Sequence, residues 1–406
     1  VIYIFKKNLN GSNNLIESNF TNRLIKLLFV IYIILSFYEG YIIKIVGPIS
    51  RYYILFFMIM LLIYFKSIEM KIEHFIIVLW FSWKLGSIFW AMGITDFNFN
   101  IIRSHIFTHI GMIALFVVLT SVNFKFIFIN KILDYFLYIS FSLAFFGIFF
   151  SNSYRGNATS RQVLSILGTE MDPNNLAALY LMGIAISVYY LIINNFKEKK
   201  YIVILVLNSA ALFLTASRAG FLTLLLILTI LVIYTIINNT TPKIIKMIFI
   251  ILIFISLVYY LSIHIIPEES LERIFSIQGY TGEGGSGSIR LRLWSKARDM
   301  FLVKPFFGWG WGGHNLGLHN TFITLLIDTG IIGFILFIIL FFILYFKSSS
   351  DNKLLITLIL ISSMVPSFFI DAINKRFFWN GIILSFMIVN SIESDRKDIK
   401  ICDYLL

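Results

Sequence analysis

Acidic residues are scarce in this chain. Twenty-one Asp and Glu stand against 33 Lys and Arg, charged residues make up only 13% of the total, and the net charge is +12. Soluble domains carry about twice that charged fraction, so a soluble globular fold is excluded. Cysteine is nearly missing: with Cys402 alone, no intramolecular disulfide can form. No Asp-x-Asp pair occurs, the acids show no divalent-metal spacing, and no phosphate-loop signature with a following Lys-Ser/Thr is present. No cofactor is expected, and group transfer would need a substrate that arrives already activated.

Hydrocarbon fills the remainder. The hydrophobic fraction is 59% and the mean hydropathy is +0.87, which describes a polytopic membrane protein. A membrane span needs about 20 apolar residues. Twelve runs qualify, two of them short: 24–43, 52–65, 74–94, 104–122, 132–150, 176–193, 201–216, 219–237, 246–263, 320–346, 354–371 and 379–391. The first lacks a small-residue cleavage site and reads as span 1, not a signal peptide. The initial Val1 fits a bacterial gene with a non-ATG start. The expected fold is an all-α bundle of about 12 transmembrane helices. Its divisions are 1–263 (spans 1–9), 264–318 (one long extracytoplasmic loop with short amphipathic helices) and 319–406 (spans 10–12 and a cytoplasmic tail).

The basic residues lie in short runs between apolar segments, as topology signals do, and this argues against nucleic acid. With both termini on one side, that side holds 18 Lys and Arg and the other 14, of which six sit in loop 264–318. Long loops translocate regardless of charge, so the comparison is 18 against 8 and both termini are expected in the cytoplasm. The kind of base differs more than the number. The cytoplasmic side has 16 Lys and 2 Arg, the outer side 4 Lys and 10 Arg. Arginine's planar fork suits bidentate phosphate contacts, so the outer arginines read as an anion site as well as headgroup anchors. A lipid-linked phosphate would qualify.

Loop 264–318 carries the densest chemistry. Residues 290–303 read as an amphipathic helix with Ser288 as N-cap. At about 100° per residue, Leu293, Trp294, Ala297, Met300 and Phe301 share one face, with Arg290 in its middle, while Arg292, Lys296 and Asp299 fall opposite. Arg292 is expected in water and Arg290 against the protein, where a charge needs an anionic partner. Gly308, Gly310, Gly312, Gly313 and Gly317, interleaved with Trp309 and Trp311, fit either a backbone cradle for a ligand or an interfacial aromatic anchor. Gly279 to Gly287 reads as a hinge. His319-Asn320 opens span 10, and a neutral imidazole there could take a proton from a sugar hydroxyl. His314-Asn315 is the rival base. His105 and His109 share a helical face, without a third metal ligand in view.

Three further features complete the set. Ser217-Arg218-Ala219-Gly220 is a charged turn between spans 7 and 8. Asp172 fits an N-cap with Pro173 at the first helical position, beside Asn174, which could present an amide to a sugar. Asp328 and Lys84 lie within spans, at a cost of ~2.5–3.5 kcal/mol each at mid-membrane, and are expected to face the interior and pair. Gly330 and Gly333 nearby suggest close helix packing.

Together these residues resemble a family. Arg290-x3-Trp294, Pro305-x2-Gly308-x-Gly310, His319-Asn320, Asp328-x-Gly330 and Gly333 resemble the C-terminal module of bacterial O-antigen ligases and O-antigen or capsule polymerases. Asp172-Pro173-Asn174 and Ser217-Arg218-Ala219-Gly220 resemble its earlier outer-loop motifs, in the same order. The second His-Asn at His314, and Asp in place of the frequent Glu before Gly330, depart from the pattern. The resemblance implies a metal-independent inverting glycosyltransferase of the membrane GT-C type, in the bacterial inner membrane, acting on undecaprenyl-pyrophosphate-linked oligosaccharide at the outer face. It implies that Arg218 and Arg290 bind the pyrophosphate and His319 activates the acceptor hydroxyl. Arg292, Asp172, Asn174, Ser217, Trp294, Gly308, Gly310, His314 and Asn320 are the candidate substrate-binding residues. A polymerase, with room for a chain-length regulator protein as partner, is favoured by analogy over a ligase to lipid A core. A lipid-linked oligosaccharide flippase fits less well, because no internal repeat shows and the charges cluster in one outer loop.

Overall fold

The computed structural model describes residues 19–65, 69–94, 97, 99–154, 161–238, 268–275 and 286–404, with isolated positions between 244 and 260. Its helices are α1 (Asn19–Phe37), α2 (Glu39–Val46), α3 (Ile49–Tyr64), α4 (Ile72–Ala91), α5 (Phe99–Ser121), α6 (Phe126–Phe149), α7 (Pro173–Ile193), α8 (Lys199–Leu214), α9 (Arg218–Asn238), α10 (Glu268–Phe275), α11 (Ser286–Val303), α12 (Thr321–Lys347), α13 (Ser350–Ser367) and α14 (Arg376–Tyr404). Helices occupy the expected apolar runs, except 246–263, most of which lies outside the described residues. Among the described residues five helices are long and apolar enough to cross a membrane, six if the pair from Arg23 to Val46, bent by 82°, is one span. Four apolar helices are shorter.

A three-stranded antiparallel sheet was not anticipated from the sequence. β1 (Ser151–Ser153) pairs with β2 (Gln162–Ile166), and β2 with β3 (Thr169–Glu170). The strands are too short for a period-2 signal to emerge beside long apolar helices. Asp172 then caps α7, its Oδ1 accepting from the N–H groups of Asn174 and Asn175, with Pro173 at the first helical position.

The core is built on α7. It is apolar all round and is buried from Leu176 to Ile192, as a helix surrounded on every side must be. α6, α8, α9 and α13 pack against it. At the opposite end from the loops described below, Lys347 of α12 donates to the buried Glu73 of α4 at 3.0 and 3.1 Å, and Asn390 of α14 joins Glu73 to Thr120 of α5.

α12 is broken. Gly330 has φ 64° and ψ −173°, outside helical geometry. In an unbroken helix Ile331 N–H would bond the carbonyl of Ile327, and Ile332 N–H that of Asp328. Here residues 305–310 enter the ladder instead. Trp309 N–H donates to Ile327 O at 2.8 Å and Gly310 N–H to Asp328 O at 2.9 Å. Ile331 N–H donates to Pro305 O at 2.9 Å and Ile332 N–H to Phe306 O at 3.4 Å. The inserted backbone thus satisfies both sides of the break, as a membrane interior demands. The two backbones meet at Gly308 (φ 74°) and Gly330. A Cβ on Gly330 would sit 2.1 Å from Phe306 O, and one on Gly308 2.5 Å from Gly330 N.

Gly330→Ala and Gly308→Ala are therefore expected to cost more than the ~1–3 kcal/mol of backbone strain alone, because neither clash can relax through a side chain. Thermal melting of detergent-purified protein checks this, with Gly317→Ala as control, since its Cβ meets nothing closer than 3.9 Å. Equal melting temperatures for all three would refute the insertion.

Candidate functional site

Four arginines converge at the end of the bundle where α7, α9 and α12 begin. Arg218 opens α9, and its Nε donates to the backbone carbonyl of Arg273 in α10 at 2.7 Å. Arg161 precedes β2 and is buried. Arg290 lies in the second turn of α11, half-buried, with no hydrogen bond or ion pair to its guanidinium among the described residues. The groups feel one another. Burial pulls the Arg161 pKa down to about 10, and the nearby charges of Arg273 and Arg290 push the same way against Asp172 and Tyr154. Burial also lowers Arg273, followed by the charges of Arg218 and Arg290. Such a cluster of like charges creates a positive potential that can hold an anion.

Helix α11 brings Arg290 to this place by its phase. Leu293, Trp294, Ala297, Met300 and Phe301 form a small core with Leu318, Ile323 and Ile327, while Arg292 and Lys296 are exposed. The helix starts at Ser286, so Ser288 falls inside its first turn and is not the cap. Trp294 Nε1–H donates to Leu318 O at 2.9 Å. That bond seats the middle of α11 against Leu318, the residue before His319.

His319 and His314 are in unlike surroundings. His319 is exposed and has φ 47°, between the anchored Leu318 and the buried Asn320. Neither of its ring nitrogens has a hydrogen bond among the described residues. Asn320 caps α12, its Oδ1 accepting from Phe322 and Ile323 N–H, both at 3.0 Å. His314 points inward. Its Nδ1 accepts from Leu316 N–H at 3.2 Å, so the proton of the neutral ring sits on Nε2, which lies 3.2 Å from Asp328 Oδ1. That contact is at ion-pair distance without hydrogen-bond alignment. Burial lowers the His314 pKa, but the contact and charge of Asp328, with Asp371 farther off, outweigh it and leave the pKa raised. The His314 ring is thus held between Leu316 and Asp328 inside the protein, whereas the His319 ring is open to solvent.

Residues 202–338 match the family model described as O-antigen ligase. Over these residues the chain is similar to the O-antigen ligase/polymerase family. No curated protein matches the chain. The family module holds Arg218, Arg273, Arg290 and His319, and also the break at Gly330.

The structure sorts the remaining candidates. Asn174 and Ser217 join the arginines: Arg161 Nη2 and Ser217 Oγ both donate to Asn174 Oδ1, at 2.8 and 3.1 Å. Gly308 and Gly310 do not form a ligand cradle. Both are buried, and their N–H groups are spent on Lys304 O and Asp328 O. The indoles of that loop also turn inward, Trp309 donating to Met300 O and Trp311 lying under the Lys84 ammonium at 4.4 Å. Asp172 and Asn320 act as helix caps. Asp328 pairs with His314, not with Lys84; Lys84 Nζ lies 3.4 Å from His109 Nε2 instead. His109 Nδ1 faces its own helix at His105 O. The Gly279 to Gly287 hinge lies largely outside the described residues. Arg161 and Arg273 were not singled out from the sequence. The signal that could have found them was the excess of arginine over lysine on one side of the chain.

Removing the His314 ring would leave the buried Asp328 carboxylate unpaired. His314→Ala is expected to destabilise the fold by about 3–5 kcal/mol, and His319→Ala by less than about 0.5 kcal/mol, both measured by chemical or thermal denaturation in detergent. Equal losses would contradict the division of roles.

Proposed function

We propose that this chain is a membrane glycosyltransferase that polymerises undecaprenyl-pyrophosphate-linked oligosaccharide repeat units into O-antigen or capsular polysaccharide, at the outer face of a bacterial inner membrane. The observation that carries this reading is the bank of four arginines, taken with the exposed His319 just before α12. In the proposed reaction an acceptor sugar hydroxyl attacks the anomeric carbon of the donor sugar from the face opposite the leaving group. The bond from that carbon to the pyrophosphate oxygen breaks, and the configuration inverts. The hydroxyl proton passes to His319, and undecaprenyl pyrophosphate departs with the electron pair. Arg218 and Arg290, with Arg161 and Arg273 around them, stabilise the charge that grows on the leaving group. The guanidinium bank supplies what a divalent ion supplies elsewhere, so the reading is metal-independent.

A ligase is the second reading, and the family match is compatible with either enzyme. It would use the same donor site and a different acceptor. A flippase reading draws on the broken α12, since discontinuous helices often bind cargo in transporters. Here the freed backbone groups at the break are taken by residues 305–310, which leaves them unavailable to cargo.

Arg218→Ala, Arg290→Ala and His319→Ala are expected to insert normally and each to lower the transfer rate by about 10²–10³-fold, while activity survives EDTA. Wild-type chain lengths from either arginine variant would sink the pyrophosphate assignment, and loss of activity in EDTA restored by a divalent ion would sink metal independence. A deletion strain separates the two enzyme readings. Single repeat units still reaching their final acceptor mean a polymerase; long chains stranded on the lipid carrier mean a ligase.

A further inference from the structure

Arg161 commits its fork within the protein to two separate helices. Its side chain is 6% exposed. Nε donates to the carbonyl of Thr215, at the C-terminal end of α8, at 2.8 Å. Nη2 donates to Asn174 Oδ1, at the start of α7, at 2.8 Å. Asn174 Oδ1 also accepts from Ser217 Oγ at 3.1 Å, and Ser217 Oγ accepts from Gly220 N–H at 3.2 Å. One guanidinium therefore ties together the end of α8 and the beginnings of α7 and α9. Between Thr215 and Ser217 the chain passes through Ala216 at φ 46°, a left-handed conformation an alanine adopts only under constraint. The Arg161 bond holds the carbonyl just before that residue, and Arg218 projects two residues after it.

The same bonds fix the direction of an amide. Two donors converge on Asn174 Oδ1, so the oxygen is identified by its partners and its lone pairs are used. Nδ2, with two N–H groups, must point the other way. Asn174 is only partly buried, so these donors are within reach of a ligand.

Resting on the reading of the arginine bank as a pyrophosphate site, we propose that Arg161 is a positioning residue, which orients Asn174 so that its amide nitrogen donates to a pyrophosphate oxygen and sets the 215–217 turn that aims Arg218. Its charge alone does not perform this role. A lysine would keep the charge, but its single nitrogen cannot reproduce the flat fork that reaches Thr215 O and Asn174 Oδ1 together.

The test uses the full-length chain in nanodiscs, with farnesyl pyrophosphate as the probe and competition against a fluorescent polyprenyl pyrophosphate as the readout. Arg161→Lys is expected to bind at least about tenfold more weakly than the wild type, close to Arg161→Ala, with donor KM rising more than kcat falls. Asn174→Asp matches the asparagine in shape but replaces the donor by an acceptor carrying negative charge. It is expected to lose binding to the same degree while melting like the wild type. Wild-type affinity in Arg161→Lys would overturn the positioning role, and wild-type affinity in Asn174→Asp would overturn the amide contact. Arg218→Ala separates the two levels. If it too binds as the wild type does, the pyrophosphate reading fails and this inference fails with it; if it is weakened while Arg161→Lys and Asn174→Asp are not, only this inference fails.

Discussion

The backbone exchange at the break in α12 is the interaction on which the rest of the arrangement depends. A helix crossing hydrocarbon cannot leave carbonyl and N–H groups open, so a break at Gly330 is tenable only with a partner of matching spacing. Residues 305–310 provide two donors and two acceptors in register. Once that segment is seated, its neighbours have little freedom. Trp311 N–H bonds Ser87 Oγ of α4, Trp83 bonds Thr329 O, and Trp309 reaches back to Met300 at the end of α11. The amphipathic helix is thereby held at its C-terminal end, and the Trp294 bond to Leu318 holds it at its middle. Arg290 and His319 take their positions from these attachments.

The buried charges around the break belong to the same construction. His314 and Asp328 lock the inserted segment to α12, and Lys84 lies over Trp311 beside His109. Buried ion pairs add little net stability compared with apolar packing, but breaking one is costly. Such a cluster therefore favours a single seating of the loop over alternatives in which a charge would lie unpaired in hydrocarbon.

Local periodicity made much of this legible. The apolar runs located the helices, and the 100° phase of residues 290–303 separated Arg290 from Arg292 and named the face that packs. Asp172 and Pro173 announced the start of α7. The partner of Gly330 could not be read that way, because it lies more than 20 residues upstream and is chosen by backbone groups that every residue carries. The glycines of 308–313 signalled close approach, but not whether a ligand or the chain's own helix was approached. Arg161 and Asn174 are 13 residues apart and meet across a small sheet, a contact with no signature in sequence order. The two histidines looked alike in sequence, each followed by Asn, and only their surroundings distinguish them.

The bond from Arg218 to the carbonyl of Arg273 has an electrostatic consequence. It draws together two cations that repel. Like charges about 10 Å apart repel by about 1.7 kcal/mol at an effective dielectric of about 20, and four guanidinium groups share the cost. On the proposed reading, that mutual repulsion is what a bound pyrophosphate would relieve. On the same reading, departure of the carrier lipid would restore the repulsion, so product release is expected to be slow.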